Sequence, residues 1–312
     1  MRFHSVRDDC RIGWLHSRRR IASNLNTEIA MPSVVCTGHE YLGRSQEIEA
    51  RGPFTYRLLA DGDSWMDRSS LVIPSLPWFL AHEMDNRGQP VLIINLAIAG
   101  SELRQLVDIM KGEFVWWLQQ FRYDAILLSA GGNDFIDAAR DPDPGQGLLL
   151  NMAGQPLPAD GYACVDPAAR RLLKDYLDTD FRQLVDAIRA DAYNHSTPVL
   201  LNSYDTPVAR NAPAGPGFGP WLYKAYQKNS IDPRLWPALT AGLFRDISSV
   251  IQGWTTFDGA LHVVPTTGVL NAADPASPGS SGDLANEIHP NASGWTKEAR
   301  VWADALAQVL GR

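Results

Sequence analysis

The sequence predicts an α/β protein with an open, doubly wound parallel sheet of about five strands. From about residue 56 onward, short and almost wholly apolar runs alternate with amphipathic helical patterns. Runs of this kind suit strands that helices cover on both faces, as in parallel sheets. Chemically active residues are expected at the carboxyl ends of such strands, where ligands of these sheets bind.

Five runs are predicted to be strands, and they lie at residues 57–60, 91–98, 125–129, 198–202 and 261–264. Each run is four to eight residues long, as buried strands usually are. The run at 91–98 is apolar almost without interruption, which indicates a strand near the centre of the sheet.

Helices are predicted between and after these strands. Apolar residues recur at spacings of three and four within 103–118, 172–188 and 295–310, which indicates one buried helical stripe in each segment. Before the second segment, Asp166 is placed to cap the helix and Pro167 to occupy its first turn.

Residues 1–52 show no sustained period and are predicted to be a tail or a loosely ordered N-terminal extension before a domain at residues 53–312. Two loops rich in Pro and Gly, 141–161 and 211–220, interrupt the domain. Loops of this length are often lids or substrate-binding walls, although a surface excursion without function is an equally good interpretation.

The net charge of -7 argues against nucleic acid or an anionic membrane as a partner. No apolar run reaches the roughly 18 residues of a membrane-spanning helix, and no signal peptide is visible, so a cytoplasmic location is the default expectation. The three cysteines are too scattered for a disulfide framework or a structural zinc site. The oligomeric state is not predicted.

Four groups that suit acyl transfer lie at predicted strand ends or in the last loop. Ser64 follows the first strand in a tight Gly-Asp-Ser turn, from which a nucleophilic hydroxyl can project. Gly100 follows the second strand, where its backbone N–H can approach a substrate oxygen, and Asn133 follows the third strand with an amide that can donate to an oxyanion. His289, before the last helix, can accept the serine proton.

Residues near the candidate nucleophile are predicted either to support its turn or to line the site. Asp63 is expected to brace the turn by accepting backbone N–H bonds, rather than to act as an acid or base. Trp65 and Trp221 are the tryptophans that we expect to line the site, because one adjoins Ser64 and the other follows a Pro/Gly loop.

Together these segments resemble the conserved blocks of the SGNH (GDSL-type) serine hydrolases. The blocks are Gly62-Asp63-Ser64-Trp65, 95–100, Gly131-Gly132-Asn133-Asp134 and His289-Pro290. The resemblance covers residues 56 to 312. It implies a three-layer α/β/α, flavodoxin-like fold, Ser64 as nucleophile, His289 as base, and an oxyanion hole formed by Ser64, Gly100 and Asn133.

The last block departs from the family pattern, in which an aspartate stands three residues before the histidine. This chain has Asn286 there, and an amide oxygen can accept the imidazole N–H but carries no negative charge. Asn286 is the favoured orienting residue, Asp283 is the possible alternative acid, and Glu287 is third. A backbone carbonyl serving a Ser–His dyad stays open as well.

The sequence therefore predicts a serine esterase for short-chain or acetyl esters, such as those of a saccharide or lipid, that needs no metal or organic cofactor. A binding protein that kept the fold and lost activity is the first alternative, favoured by Asn286 alone. A metal-dependent phosphoesterase is the second, although the histidines show no ligand spacing.

Overall fold

A computed structural model of the chain describes residues 33–67, 74–109 and 111–311. In these residues six strands form one parallel sheet, in the order β1-β3-β2-β4-β5-β6. The strands are β1 Val34–Thr37, β2 Tyr56–Gly62, β3 Val91–Asn95, β4 Ala125–Ser129, β5 Val199–Asn202 and β6 Leu261–Val264.

The five predicted strands are confirmed as β2 to β6, and the structure adds β1 at the edge of the sheet. β1 pairs with β3 from Val34↔Leu92 to Thr37↔Asn95. The prediction missed β1 because it lies in a segment without a sustained period, although its run is as long as those predicted at 57–60 and 261–264. Residues 33–52 thus belong to the sheet domain, and the predicted boundary at residue 53 is wrong for them. Residues 1–32 lie outside the described residues.

Nine α-helices are present in the described parts of the chain. They are α1 Gly38–Glu49, α2 Leu76–Asn86, α3 Leu103–Asp108, α4 Lys111–Gln120, α5 Gly132–Ala139, α6 Pro167–Ala190, α7 Leu222–Lys228, α8 Trp236–Trp254 and α9 Ala292–Leu310. The cap predicted for α6 is confirmed, because the Asp166 carboxylate accepts the N–H groups of Ala168 and Ala169. The single helix predicted at 103–118 is two helices, α3 and α4. No helix among these is long and apolar enough to cross a membrane.

The direction of each crossover decides which face of the sheet a helix covers. The connection from β2 to β3 runs along the sheet in the direction opposite to all the other connections. Because parallel crossovers are right-handed, α2 lies on one face and α1, α3, α4, α6 and α8 lie on the other. α9 packs against α2 and completes the smaller layer.

The change of direction takes place at β2, and this has a functional consequence. Chains that leave neighbouring strands toward opposite faces of a sheet open a crevice at their carboxyl ends. Ser64 follows β2 directly, so it lies at this crevice.

Candidate functional site

The turn that carries Ser64 depends on Gly62. This glycine has φ +131°, and a Cβ at this position would lie 2.1 Å from the backbone oxygen of Ser129. The N–H of Asp63 donates to the same oxygen at 3.2 Å, so β2 and β4 stay in contact where the turn begins. Only a residue without a side chain can make this approach.

The Asp63 carboxylate braces the turn, as expected from the sequence. It is buried and accepts bonds from the Trp65 N–H at 3.0 Å, from the Ser129 hydroxyl at 2.7 Å, and from the Tyr204 hydroxyl. Burial raises the pKa of Asp63, while these three donors act in the opposite direction. With its oxygens engaged in this way, the carboxylate holds the backbone on both sides of Ser64.

The structure brings Ser64 and His289 into contact although 225 residues separate them in the chain. The Ser64 Oγ lies 2.7 Å from His289 Nε2, and both residues are half-buried. This is the distance of a strong hydrogen bond between a hydroxyl and a ring nitrogen.

Asn286 contacts the other ring nitrogen. Its Oδ1 lies 3.1 Å from His289 Nδ1, and it also accepts the backbone N–H groups of Ile288 at 3.1 Å and His289 at 3.0 Å. Backbone N–H groups can only donate, so the atom that faces them must be the amide oxygen rather than its nitrogen. His289 Nδ1 must therefore carry the proton, and Nε2 is left as the acceptor for the Ser64 hydroxyl.

The half-buried imidazole has only uncharged hydrogen-bond partners among the described residues, Ser64 and Asn286. Burial lowers the pKa of His289 to about 4, because the protonated ring would lose its hydration. The indole of Trp221 lies edge-on to the ring with a centroid distance of 5.5 Å. His289 is therefore neutral at neutral pH, the form that can accept a proton.

The two acids considered as alternatives to Asn286 are bound elsewhere. The Asp283 carboxylate contacts the Lys297 ammonium, the Ser293 hydroxyl at 2.8 Å and the Asn271 N–H at 2.6 Å. The Glu287 carboxylate accepts backbone N–H groups at the start of α7. Neither carboxylate is placed to accept the Nδ1 proton, whereas Asn286 is.

The loop that carries Gly100 is tied to both sides of Ser64. The N–H of Ile98 donates to the Gly62 oxygen at 3.0 Å, and the N–H of Ala99 donates to the Asp67 carboxylate at 3.0 Å. Gly100 itself is exposed and has φ +84°, in the left-handed region. The described residues provide no hydrogen-bond partner for the backbone N–H of Gly100 or for that of Ser64.

Asn133, in the first turn of α5, reaches the same loop. Its Nδ2 donates to the Ser101 oxygen at 3.0 Å, which uses one of the two amide hydrogens and leaves the other. The neighbouring Asp134 accepts the N–H of Leu103 at 3.0 Å and the Tyr176 hydroxyl at 2.9 Å, so it braces the helix start that follows this loop.

One tryptophan that was predicted to line the site does not do so, and one residue that supports the nucleophile turn was not predicted from the sequence. Trp65 is buried, with edge contacts at 5.2 Å to Tyr204 and to Trp295, so it is a core residue rather than a site wall. Tyr204, just beyond β5, reaches Asp63 beneath the nucleophile turn. Its position past the carboxyl end of a strand was the only signal in the sequence that could have identified it.

The described segments contain no cluster of three His, Cys, Asp or Glu side chains arranged to hold a metal ion. The candidate side chains of the site are the Ser64 hydroxyl, the neutral imidazole of His289 and the amides of Asn133 and Asn286. Such a set can transfer a proton and donate hydrogen bonds to an oxyanion.

Comparisons with known proteins find likeness at the level of structure. No family model and no curated protein matches the sequence. The lipase Lip_vut3 from a goat rumen metagenome is similar with a TM-score of 0.50 at 13% identity, over 80% of this chain and 97% of that chain. An extracellular lipase from Streptomyces rimosus has a TM-score of 0.48 at 18% identity, over 80% and 99% of the two chains. An acetyl xylan esterase from Geobacillus stearothermophilus has a TM-score of 0.44 at 13% identity, over 83% of this chain and 95% of that chain. The predicted fold, a three-layer α/β/α architecture around a parallel sheet, is confirmed by the sheet topology and by the likeness to the lipase Lip_vut3.

Proposed function

We propose that this chain is a serine esterase of the SGNH type that works through an acyl-enzyme on Ser64. The observation that carries the proposal is the 2.7 Å contact between Ser64 Oγ and His289 Nε2. The neutral ring, protonated on Nδ1 by the argument from Asn286, offers a free lone pair to the hydroxyl.

The proposed reaction has two steps. In the first, Ser64 Oγ attacks the ester carbonyl carbon while its proton passes to His289 Nε2, and the alcohol leaves with that proton. In the second, a water molecule gives a proton to the same nitrogen and attacks the acyl-enzyme, which releases the acid and restores Ser64. No other co-reactant is required.

The negative charge that develops on the carbonyl oxygen needs donors. We assign this role to the backbone N–H groups of Ser64 and Gly100 and to the Asn133 amide. Support comes from the two unused backbone N–H groups and from the bond that ties Asn133 to the Gly100 loop. Removing one such donor from a comparable site costs about 2.7–4 kcal/mol of transition-state stabilisation.

The substrate class that we propose is a carboxylic ester with a short acyl group, such as an acetyl ester of a saccharide or lipid. The sequence contains no long apolar segment that could cover an extended acyl chain. The half-buried Ser64 suits a small acyl group.

Hydrolysis of model esters tests the proposal. Wild type should hydrolyse p-nitrophenyl esters and react with a fluorophosphonate probe, with a chelator having no effect. Ser64→Ala should lose both hydrolysis and labelling. The matched control is Ser249→Ala, which changes an exposed serine on α8 and should leave both unchanged.

The alternatives give different results in the same assay. If wild type resists the probe as fully as Ser64→Ala does, the chain is a binding protein with this fold. If a chelator abolishes hydrolysis of a phosphate ester, a metal-dependent enzyme is the correct interpretation.

A further inference from the structure

A buried carboxylate that the proposed reaction does not use lies two residues before His289. Glu287 is fully buried, and its two oxygens accept four backbone N–H groups. The donors are Arg210 at 3.2 Å, Leu222 at 3.0 Å, Tyr223 at 2.7 Å and Trp221. Burial raises the pKa of Glu287 to about 7 against the lowering effect of these donors.

The positions of these donors give Glu287 a specific geometric role. Arg210 immediately precedes the Pro/Gly loop 211–220, and Trp221 immediately follows it. The Glu287 N–H also donates to the Ala212 oxygen at 2.9 Å. A single side chain therefore closes both ends of the loop and joins them to the segment that carries His289.

Arg210 strengthens the same connection from its side chain. Its guanidinium is buried, and Nη2 donates to the backbone oxygen of Asn286 at 2.6 Å. Nη1 donates to the oxygens of Ser277 at 2.7 Å and Gly279 at 2.5 Å. The segment 286–289 is thus bonded to Arg210, which precedes the loop 211–220, as well as to Trp221, which follows it.

The imidazole of His289 needs this support more than it would if it had an acidic partner. The neutral hydrogen bond from Nδ1 to Asn286 is roughly half as strong as a bond to a charged group would be. The indole of Trp221, edge-on at 5.5 Å, limits the motion of the ring on another side. The position of that indole depends on the backbone of Trp221, which Glu287 holds.

We propose that Glu287 is a positioning residue that acts through Trp221: by closing the loop 211–220 it keeps the indole against His289 and the imidazole aligned with Ser64. The inference rests on the proposed esterase function and deepens it. It also assigns the loop 211–220 to the wall of the site, one of the two interpretations left open by the sequence.

A double-mutant cycle tests whether Glu287 acts through Trp221. Glu287→Gln places an amide N–H group among four N–H donors, and Trp221→Leu removes the indole contact. Because a displacement of about 1 Å in a catalytic group can lower the rate on the order of 10²-fold, we expect Glu287→Gln to lower kcat at least about tenfold. KM for p-nitrophenyl acetate should change less than about threefold. In the Trp221→Leu background, Glu287→Gln should lower kcat less than about threefold.

Asp258→Asn is the matched control for loss of stability. Asp258 is also a carboxylate that accepts a backbone N–H, that of Ala260 at 2.6 Å, and it binds Arg189, but it lies before β6 at the amino end of the sheet. This variant should lower the melting temperature and leave kcat unchanged. If Glu287→Gln does not fold, Glu287→Asp, which withdraws the carboxylate by one methylene, replaces it in the cycle.

Additive effects of the two substitutions on kcat would overturn the inference, and so would an unchanged kcat in Glu287→Gln. An equal loss of kcat in Asp258→Asn would overturn it as well, since the effect would then be one of general stability. Hydrolysis that survives in Ser64→Ala would refute the proposed function itself, together with this inference.

Discussion

Asn286→Asp places a negative charge where the structure has a neutral acceptor, and its effect can be worked out from the geometry. The amide oxygen lies 3.1 Å from His289 Nδ1, so a carboxylate there would lie about 4 Å from the centre of the imidazolium charge. At an effective dielectric constant of about 20, the attraction is about 4 kcal/mol, or about three pKa units at roughly 1.4 kcal/mol each. The cost of burying the new carboxylate reduces this gain, although the N–H groups of Ile288 and His289 already face it.

We therefore expect the pKa of His289 to rise by one to two units from about 4. The base is active when neutral, so activity is lost as pH falls through the pKa, and a higher pKa moves this loss to higher pH. The plateau of kcat/KM at neutral pH should rise about tenfold, because the carboxylate stabilises the imidazolium that forms in the transition state.

The assay is the pH dependence of kcat/KM for p-nitrophenyl acetate from pH 3.5 to 8.5, with circular dichroism at each pH to confirm folding. Asp283→Asn is the control. The Asp283 carboxylate binds Lys297 and Ser293, so its removal should not shift the acid limb, which is the fall of kcat/KM at low pH. An acid limb that does not move in Asn286→Asp, or that moves to lower pH, would refute the assignment of Asn286 as the partner of the base.

Three further substitutions have expected outcomes. Asn133→Ala should lower kcat on the order of 10²-fold with KM nearly unchanged, and a change confined to KM would remove Asn133 from the oxyanion hole. Gly62→Ala should lower the melting temperature strongly, because its Cβ would lie 2.1 Å from the Ser129 oxygen; a wild-type melting curve would contradict this. The third concerns Glu298, whose buried carboxyl oxygens have no hydrogen-bond partner in the described residues and whose pKa burial raises to about 9. A raised acid pKa destabilises the folded state as pH rises between about 4.5 and 9, so Glu298→Gln should match wild type in free energy of unfolding near pH 4.5 and exceed it by at least about 1 kcal/mol at pH 8. Equal stability at both pH values, measured by urea unfolding, would show that the carboxyl is not buried as described.

Much of the fold follows from local pattern. A strand covered on both faces must be apolar along its whole length, so β3 and β4 were visible as uninterrupted runs, and Asp166-Pro167 marked the start of α6 because capping is a local interaction. β1 was missed because its short run, Val34-Val35-Cys36-Thr37, stands in a segment of the sequence that shows no sustained period.

The sequence by itself also determined which residue types end the strands and precede the last helix, and hence the candidates Ser64, Gly100, Asn133 and His289 for the site. It could not decide which group faces the far side of His289, because residues three to six positions away in an irregular loop can point in any direction. Tertiary contacts decided this: Lys297 binds Asp283, the start of α7 binds Glu287, and two backbone N–H groups turn the amide oxygen of Asn286 toward the ring. These contacts join segments far apart in the chain, so no local pattern encodes them, and only the folded protein brings their donors and acceptors together.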